Sequence, residues 1–134
     1  MKLTSNFSLQ ELLKSQTALR KGIDNKPANP GVITNLQVLC EKVLQPVRDH
    51  YARPVVINSG YRCPKLNKAI GSSSKSQHIK GMAADIEIPG LSNKELAEYI
   101  EDNLPFDQLI LEFYNGVDPN SGWVHVSYVS DSDN

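Results

Sequence analysis

Ser76-Gln77-His78-Ile79-Lys80-Gly81-Met82-Ala83-Ala84-Asp85-Ile86-Glu87-Ile88 is the stretch on which the reading of this chain turns. From Met82 to Ile88 the residues alternate. Ala84, Ile86 and Ile88 fall on one face and Ala83, Asp85 and Glu87 on the other, the period of a half-buried β-strand. Ahead of the strand, the serine-rich segment from Ser72 to Gln77 reads as a loop. Gly81 lets the backbone turn from the loop bearing His78 into the strand bearing Asp85. A histidine and an aspartate thus stand seven residues apart at a loop–strand junction, and both side chains are zinc-ligand types.

Forty residues after Asp85, His125 lies in a second alternating run, Trp123 to Val129. There Val124, Val126 and Tyr128 oppose Trp123, His125 and Ser127. A third run, Gln108 to Tyr114, sets Leu109, Leu111 and Phe113 against Gln108 and Glu112. Asn115 to Gly122, rich in Gly, Asp, Pro, Asn and Ser, is the turn between them. If the two runs pair as a hairpin with matched apolar faces, Phe113 opposite Val124 puts Glu112 opposite His125, with Cβ atoms about 5 Å apart. Two histidines, one carboxylate and a water complete a tetrahedral site with an open position, as catalytic zinc requires.

Upstream, Ser8-Leu9-Gln10-Glu11 matches a capping box, with Phe7 and Leu12 in the staple positions. It predicts a helix to about Leu19, ending near Gly22. Asn29-Pro30 opens a second helix, with the proline at its first position. Val32, Leu36, Leu39, Cys40, Val43, Leu44 and Val47 recur at helical spacing, and Pro46 should kink that helix or end its regular part. Val55-Val56-Ile57 reads as a short buried strand, Ser59 to Arg62 as a turn, and Pro64 to Ile70 as a helix closed by Gly71. Ser92-Asn93-Lys94-Glu95 is a second capping box, opening a helix that Pro105 terminates. The elements sum to a single α+β domain over residues 1–134, a small antiparallel-rich sheet with helices packed on one side.

Composition narrows the function classes. With 14 basic and 15 acidic residues scattered along the chain and a formal net charge of -1, there is no basic stripe for a nucleic acid. No 18-residue apolar run is present, so no membrane insertion is expected, and Met1 to Phe7 is not followed by the apolar core of a secretory signal. Cys40 and Cys63 are too few for a disulfide scaffold. Cys40 reads as core, and Cys63 as a free thiol in a turn. His50, near a helix end, reads as structural because a cation there suits the helix dipole.

Ser59-Gly60-Tyr61-Arg62, then Ser76 to Asp85, then Trp123-Val124-His125 resemble, in this order, the S-G-Y-R, S-x-H-x-x-G-x-A-x-D and W-x-H motifs of the zinc D-Ala-D-Ala carboxypeptidase and murein endopeptidase family, peptidases of the M15 type. The likeness runs from about Phe7 to Tyr128. It implies a fold like that of DD-peptidases and hedgehog signalling domains, and one Zn2+ ion held by His78, Asp85 and His125. It further implies hydrolysis of a peptide bond in a peptidoglycan stem peptide, either D-Ala-D-Ala or L-Ala-D-Glu. Arg62 then has a substrate or oxyanion role, and Ser76 matches a substrate-binding position whose alternative is a cap serine. Trp123 either walls the substrate groove or simply packs. Some relatives carry their general base just before the last histidine. Here Asn120, Ser121 and Gly122 stand there, so the candidates are Glu112, which strand geometry favours, and Asp118, which reads more simply as a turn residue. A monomeric phage-type lysis enzyme, cytoplasmic on synthesis and reaching the cell wall on release, fits the chain as expected. A non-catalytic zinc-containing module that binds cell wall or a partner is the second reading.

Overall fold

The computed structural model describes residues 1–130, so the last four residues of the expected domain lie outside the described residues. The chain opens on a hairpin, β1 (Lys2–Thr4) and β2 (Phe7–Ser8), which the sequence did not announce because its strands are only two and three residues long. The capping box then forms in full: Ser8 Oγ accepts from the Glu11 N–H and the Glu11 carboxylate accepts from the Ser8 N–H. The single helix expected to Leu19 is two helices, α1 (Leu9–Leu13) and α2 (Gln16–Lys21). Ser15 is the cause. Its backbone is extended and its hydroxyl caps the second helix, accepting from Ala18 N at 3.1 Å.

The core helix starts at Pro30 as expected. α3 (Pro30–Leu39) runs into a π-helical turn, Cys40–Leu44, and continues as α4 (Gln45–Tyr51). Proline 46 has no N–H for the Lys42 carbonyl and would crowd it. The wider turn, in which the Gln45 N–H reaches the Cys40 carbonyl, accommodates it without a break. All seven apolar residues read at helical spacing are buried here.

β3 (Val56–Ser59), α5 (Pro64–Ile70), a 3-10 turn (Gln77–Lys80), β4 (Ala83–Glu87), α6 (Asn93–Asn103), β5 (Leu109–Glu112) and β6 (Trp123–Ser127) follow. The four later strands make one antiparallel sheet in the order β3-β4-β6-β5. Its apolar face, including Ala84, Ile86, Val124 and Val126, joins the core formed with the helices. Its other face carries Asp85 beside His125, with Ile110 across from His125 on β5. β3 is an edge strand, so it is not the buried strand expected: Val55 is buried but Val56 is 42% exposed. An irregularity at Asn58 brings Ser59 opposite Asp85. No helix among the described residues is long and apolar enough to cross a membrane.

The hairpin register differs from the expected one by two residues. Leu111, not Phe113, lies opposite Val124, so Glu112 pairs with Trp123 and Ile110 with His125. A two-residue slip preserves which side chains share a face, so the apolar pattern could not decide between the registers. The turn decides. Phe113 leaves the strand with a φ of 55°, and Gly122 has a φ of 73° with its Cα packed on the Glu112 carbonyl. A Cβ at residue 122 would overlap that oxygen. Gly122→Ala is therefore expected to destabilise the protein by about 2 kcal/mol or more, measured by denaturant unfolding. A loss under about 0.5 kcal/mol would contradict this packing.

Candidate metal centre

His78 sits in the 3-10 turn that Ser76 caps, Asp85 in the middle of β4, and His125 in the middle of β6. The fold brings them together. Their ligand-type atoms all lie within 4.8 Å of one another, the one such cluster among the described residues. The residues are 2%, 7% and 8% exposed. Asp85 Oδ1 is 2.9 Å from His125 Nδ1 and 3.4 Å from His78 Nε2. The ring centroids of the two histidines are 5.2 Å apart.

The S-G-Y-R turn aims these groups. The Gly60 carbonyl accepts from His78 Nδ1 at 2.7 Å. A carbonyl can only accept, so Nδ1 carries a proton and Nε2 faces the cluster, donating to Asp85 when the ring is protonated and offering a lone pair to a cation when it is not, the orientation that a hydrogen-bonded carbonyl gives a metal-binding histidine. The Arg62 N–H donates to the His78 carbonyl at 3.0 Å. The Arg62 side chain donates to Ser59 Oγ and to Asn67 Oδ1, and its Nη2 lies 3.6 Å from Asp85 Oδ2. Tyr61 is buried in the core, its hydroxyl accepting from Ala28 N. Each residue of the motif therefore carries a distinct structural duty.

The electrostatics keep Asp85 ionised. Burial alone would push the Asp85 carboxyl up, but hydrogen bonds to His125 and His78 and their charges outweigh it and hold the group at about 2. Burial lowers the Arg62 guanidinium, opposed by the charges of Asp85 and Glu112. A tetrahedral ion with nitrogen and oxygen ligands at 2.0–2.2 Å spaces its ligand atoms by about 3.3–3.6 Å. The observed 3.4 Å falls in that range, 2.9 Å lies just below it, and all three ligand-type atoms lie within 4.8 Å of one another, so shifts of a few tenths of an ångström fit the three side chains to a divalent ion such as zinc.

The remaining predicted residues fall as follows. Glu112 ends β5 on the site face, diagonal to His125 rather than opposite it, and its carboxylate makes no hydrogen bond among the described residues. Asp118 accepts from Asn120 N inside the turn, the duty of a turn residue. Ser76 Oγ accepts from His78 N at 3.2 Å, so its hydroxyl orients the first histidine. Trp123 lies under Phe113, ring centroids 4.9 Å apart.

Two buried asparagines escaped the sequence reading. Asn67 anchors Arg62 and donates to the Ser73 carbonyl at 2.8 Å. Cys63, Leu66 and Asn67 are spaced as one helical stripe, so a polar residue on a buried stripe was the available signal. Asn93 donates to the carbonyls of Asn120 and Gly122 at 2.9 and 2.8 Å, while Ser92 Oγ and Lys94 N both donate to the Pro119 carbonyl. This clamp fixes the turn before Trp123. Position 93 looks like an ordinary first helical residue and offered no signal.

A model of the Peptidase M15 family matches residues 5–127. The chain belongs to that family. No curated protein matches it.

Because the folded Asp85 carboxyl lies below its unfolded value of 3.8, its stabilisation is complete above that value and is lost as pH falls through about 2. In chelator, the stability gap between wild type and Asp85→Asn should narrow by about 2 kcal/mol from pH 5 to pH 2, followed by denaturant midpoints. A constant gap would mean that the carboxylate is not held by the imidazoles.

Proposed function

We propose that this Peptidase M15 chain is a zinc-dependent hydrolase of a peptide bond in peptidoglycan stem peptides, D-Ala-D-Ala or L-Ala-D-Glu. The observation that carries the reading is the convergence of His78, Asp85 and His125 into one buried cluster with Glu112 on the same sheet face. His78 Nε2, Asp85 and His125 Nδ1 would hold the ion. Bound there, zinc supplies Lewis acidity and makes water nucleophilic near neutral pH.

The chain's own groups supply the rest. Glu112 is the general base: it takes a proton from the attacking water and passes it to the departing amine. Its place at the strand end, with no hydrogen-bonded partner among the described residues, leaves both carboxylate oxygens available for that transfer. Arg62, anchored by Ser59 and Asn67, offers a fixed positive charge to the oxyanion that forms at the cut carbonyl or to a substrate carboxylate. Trp123 lines the approach to His125, and Ser76 acts on substrate only through a hydroxyl already shared with His78 N.

The test is mass spectrometry of purified peptidoglycan after digestion by zinc-loaded protein, with and without chelator. New termini at one stem-peptide bond, lost on chelation, are expected. Binding of cell wall without release would favour the non-catalytic module instead. Glu112→Gln should retain one metal ion per chain and lose activity by about 100-fold or more. Undiminished turnover by that variant would remove Glu112 from the mechanism.

A further inference from the structure

Phe113 is held against its own backbone preference. Its φ is 55°, in the left-handed region that bulky side chains avoid. It is 76% exposed, so core burial does not offset the strain. An asparagine or glycine would turn the chain there at lower cost. The ring instead lies on Trp123, at 4.9 Å between centroids and tilted by 37°. Trp123 is on the sheet face of His125, and its indole N–H is buried without a hydrogen-bond partner among the described residues. Strain retained at an exposed aromatic beside a chemical site points to a duty toward a ligand.

We propose that Phe113 and Trp123 form an aromatic wall that receives the methyl group of the alanyl residue flanking the cut bond, making Phe113 a specificity-determining residue. This rests on the hydrolase reading above. Phe113 directly follows Glu112, and successive Cα atoms are about 3.8 Å apart. If Glu112 serves the reacting atoms, the next ring meets groups within one residue of the scissile amide, not a distant sugar. Both candidate bonds carry alanine on the carbonyl side, and its methyl is the apolar group there. An aromatic face takes such a group in van der Waals contact. Ile110, exposed across from His125, continues the apolar surface.

The experiment compares zinc-loaded wild type, Phe113→Asn and Phe113→Tyr on synthetic stem peptides carrying alanine or glycine at the flanking position. Wild type should prefer alanine by about tenfold in kcat/KM, the worth of one small apolar group in a fitted contact. Phe113→Asn should lose the preference through a raised KM, with kcat within about twofold and an unchanged or higher melting temperature, because asparagine tolerates a positive φ. Phe113→Tyr should behave as wild type. A preference kept by Phe113→Asn, or a clear fall in its melting temperature, overturns the proposal. Trp123 is the chain's only tryptophan, so its emission gives a readout independent of turnover. The alanine peptide should shift it in wild type and do so more weakly in Phe113→Asn; identical titrations contradict the wall. If wild type cleaves neither peptide yet its emission responds to alanine over glycine, the hydrolase reading fails and the wall stands. Neither cleavage nor response removes both.

Discussion

A carboxylate taken out of water must be met by opposite charge or hydrogen-bond donors, or it costs several kcal/mol. Asp85 meets that demand with His125, His78 and Arg62. Much of the surrounding structure can be understood as the means of delivering those three groups. The S-G-Y-R turn supplies the guanidinium and, through the Gly60 carbonyl, the orientation of His78. The 3-10 turn capped by Ser76 brings His78 over β4. The central pairing of β4 with β6 sets His125 beside Asp85. The carboxylate is thereby ionised and pre-arranged with two imidazoles before any cation arrives.

A second device governs the outer half of the site. The turn from Asn115 to Gly122 is not free to choose its register. The start of α6 holds it through Ser92, Asn93 and Lys94, and Gly122 packs directly on the Glu112 carbonyl. These contacts bring Glu112 and Trp123 together at the strand ends, on the face that carries His125. The inner half of the site is thus set by electrostatics in the sheet, and the outer half by backbone carbonyls gripped from a helix start.

Much of this was legible in the residues. Asp85 and His125 announced themselves because a period of two puts polar side chains on a face shared by neighbouring strands, and His78 because its motif precedes that strand and the three motifs occur in order. Ser8, Pro30, Gly71 and Ser92 marked helix ends through local hydrogen bonding, which sequence records well. What failed was whatever depended on a choice among locally equivalent arrangements. Two hairpin registers satisfied the same alternation, and only the positive φ angles of Phe113 and Gly122 separated them. Phe113 was read as core by its alternation, yet it leaves the strand and is exposed. Ser15 competed with its neighbours as a cap and split a helix. Asn67 and Asn93 act through contacts five and about thirty residues away, and such partners leave little local trace.

If His78, Asp85 and His125, from three separate elements, form one open cage for a single divalent ion, zinc should meet all three at once. X-ray absorption at the zinc edge of the purified, zinc-loaded protein tests it most directly. One zinc per chain is expected, with two imidazole nitrogens and oxygen ligands at about 2.0–2.2 Å, and no sulfur. A sulfur ligand near 2.3 Å, or a protein that binds no zinc, would contradict it.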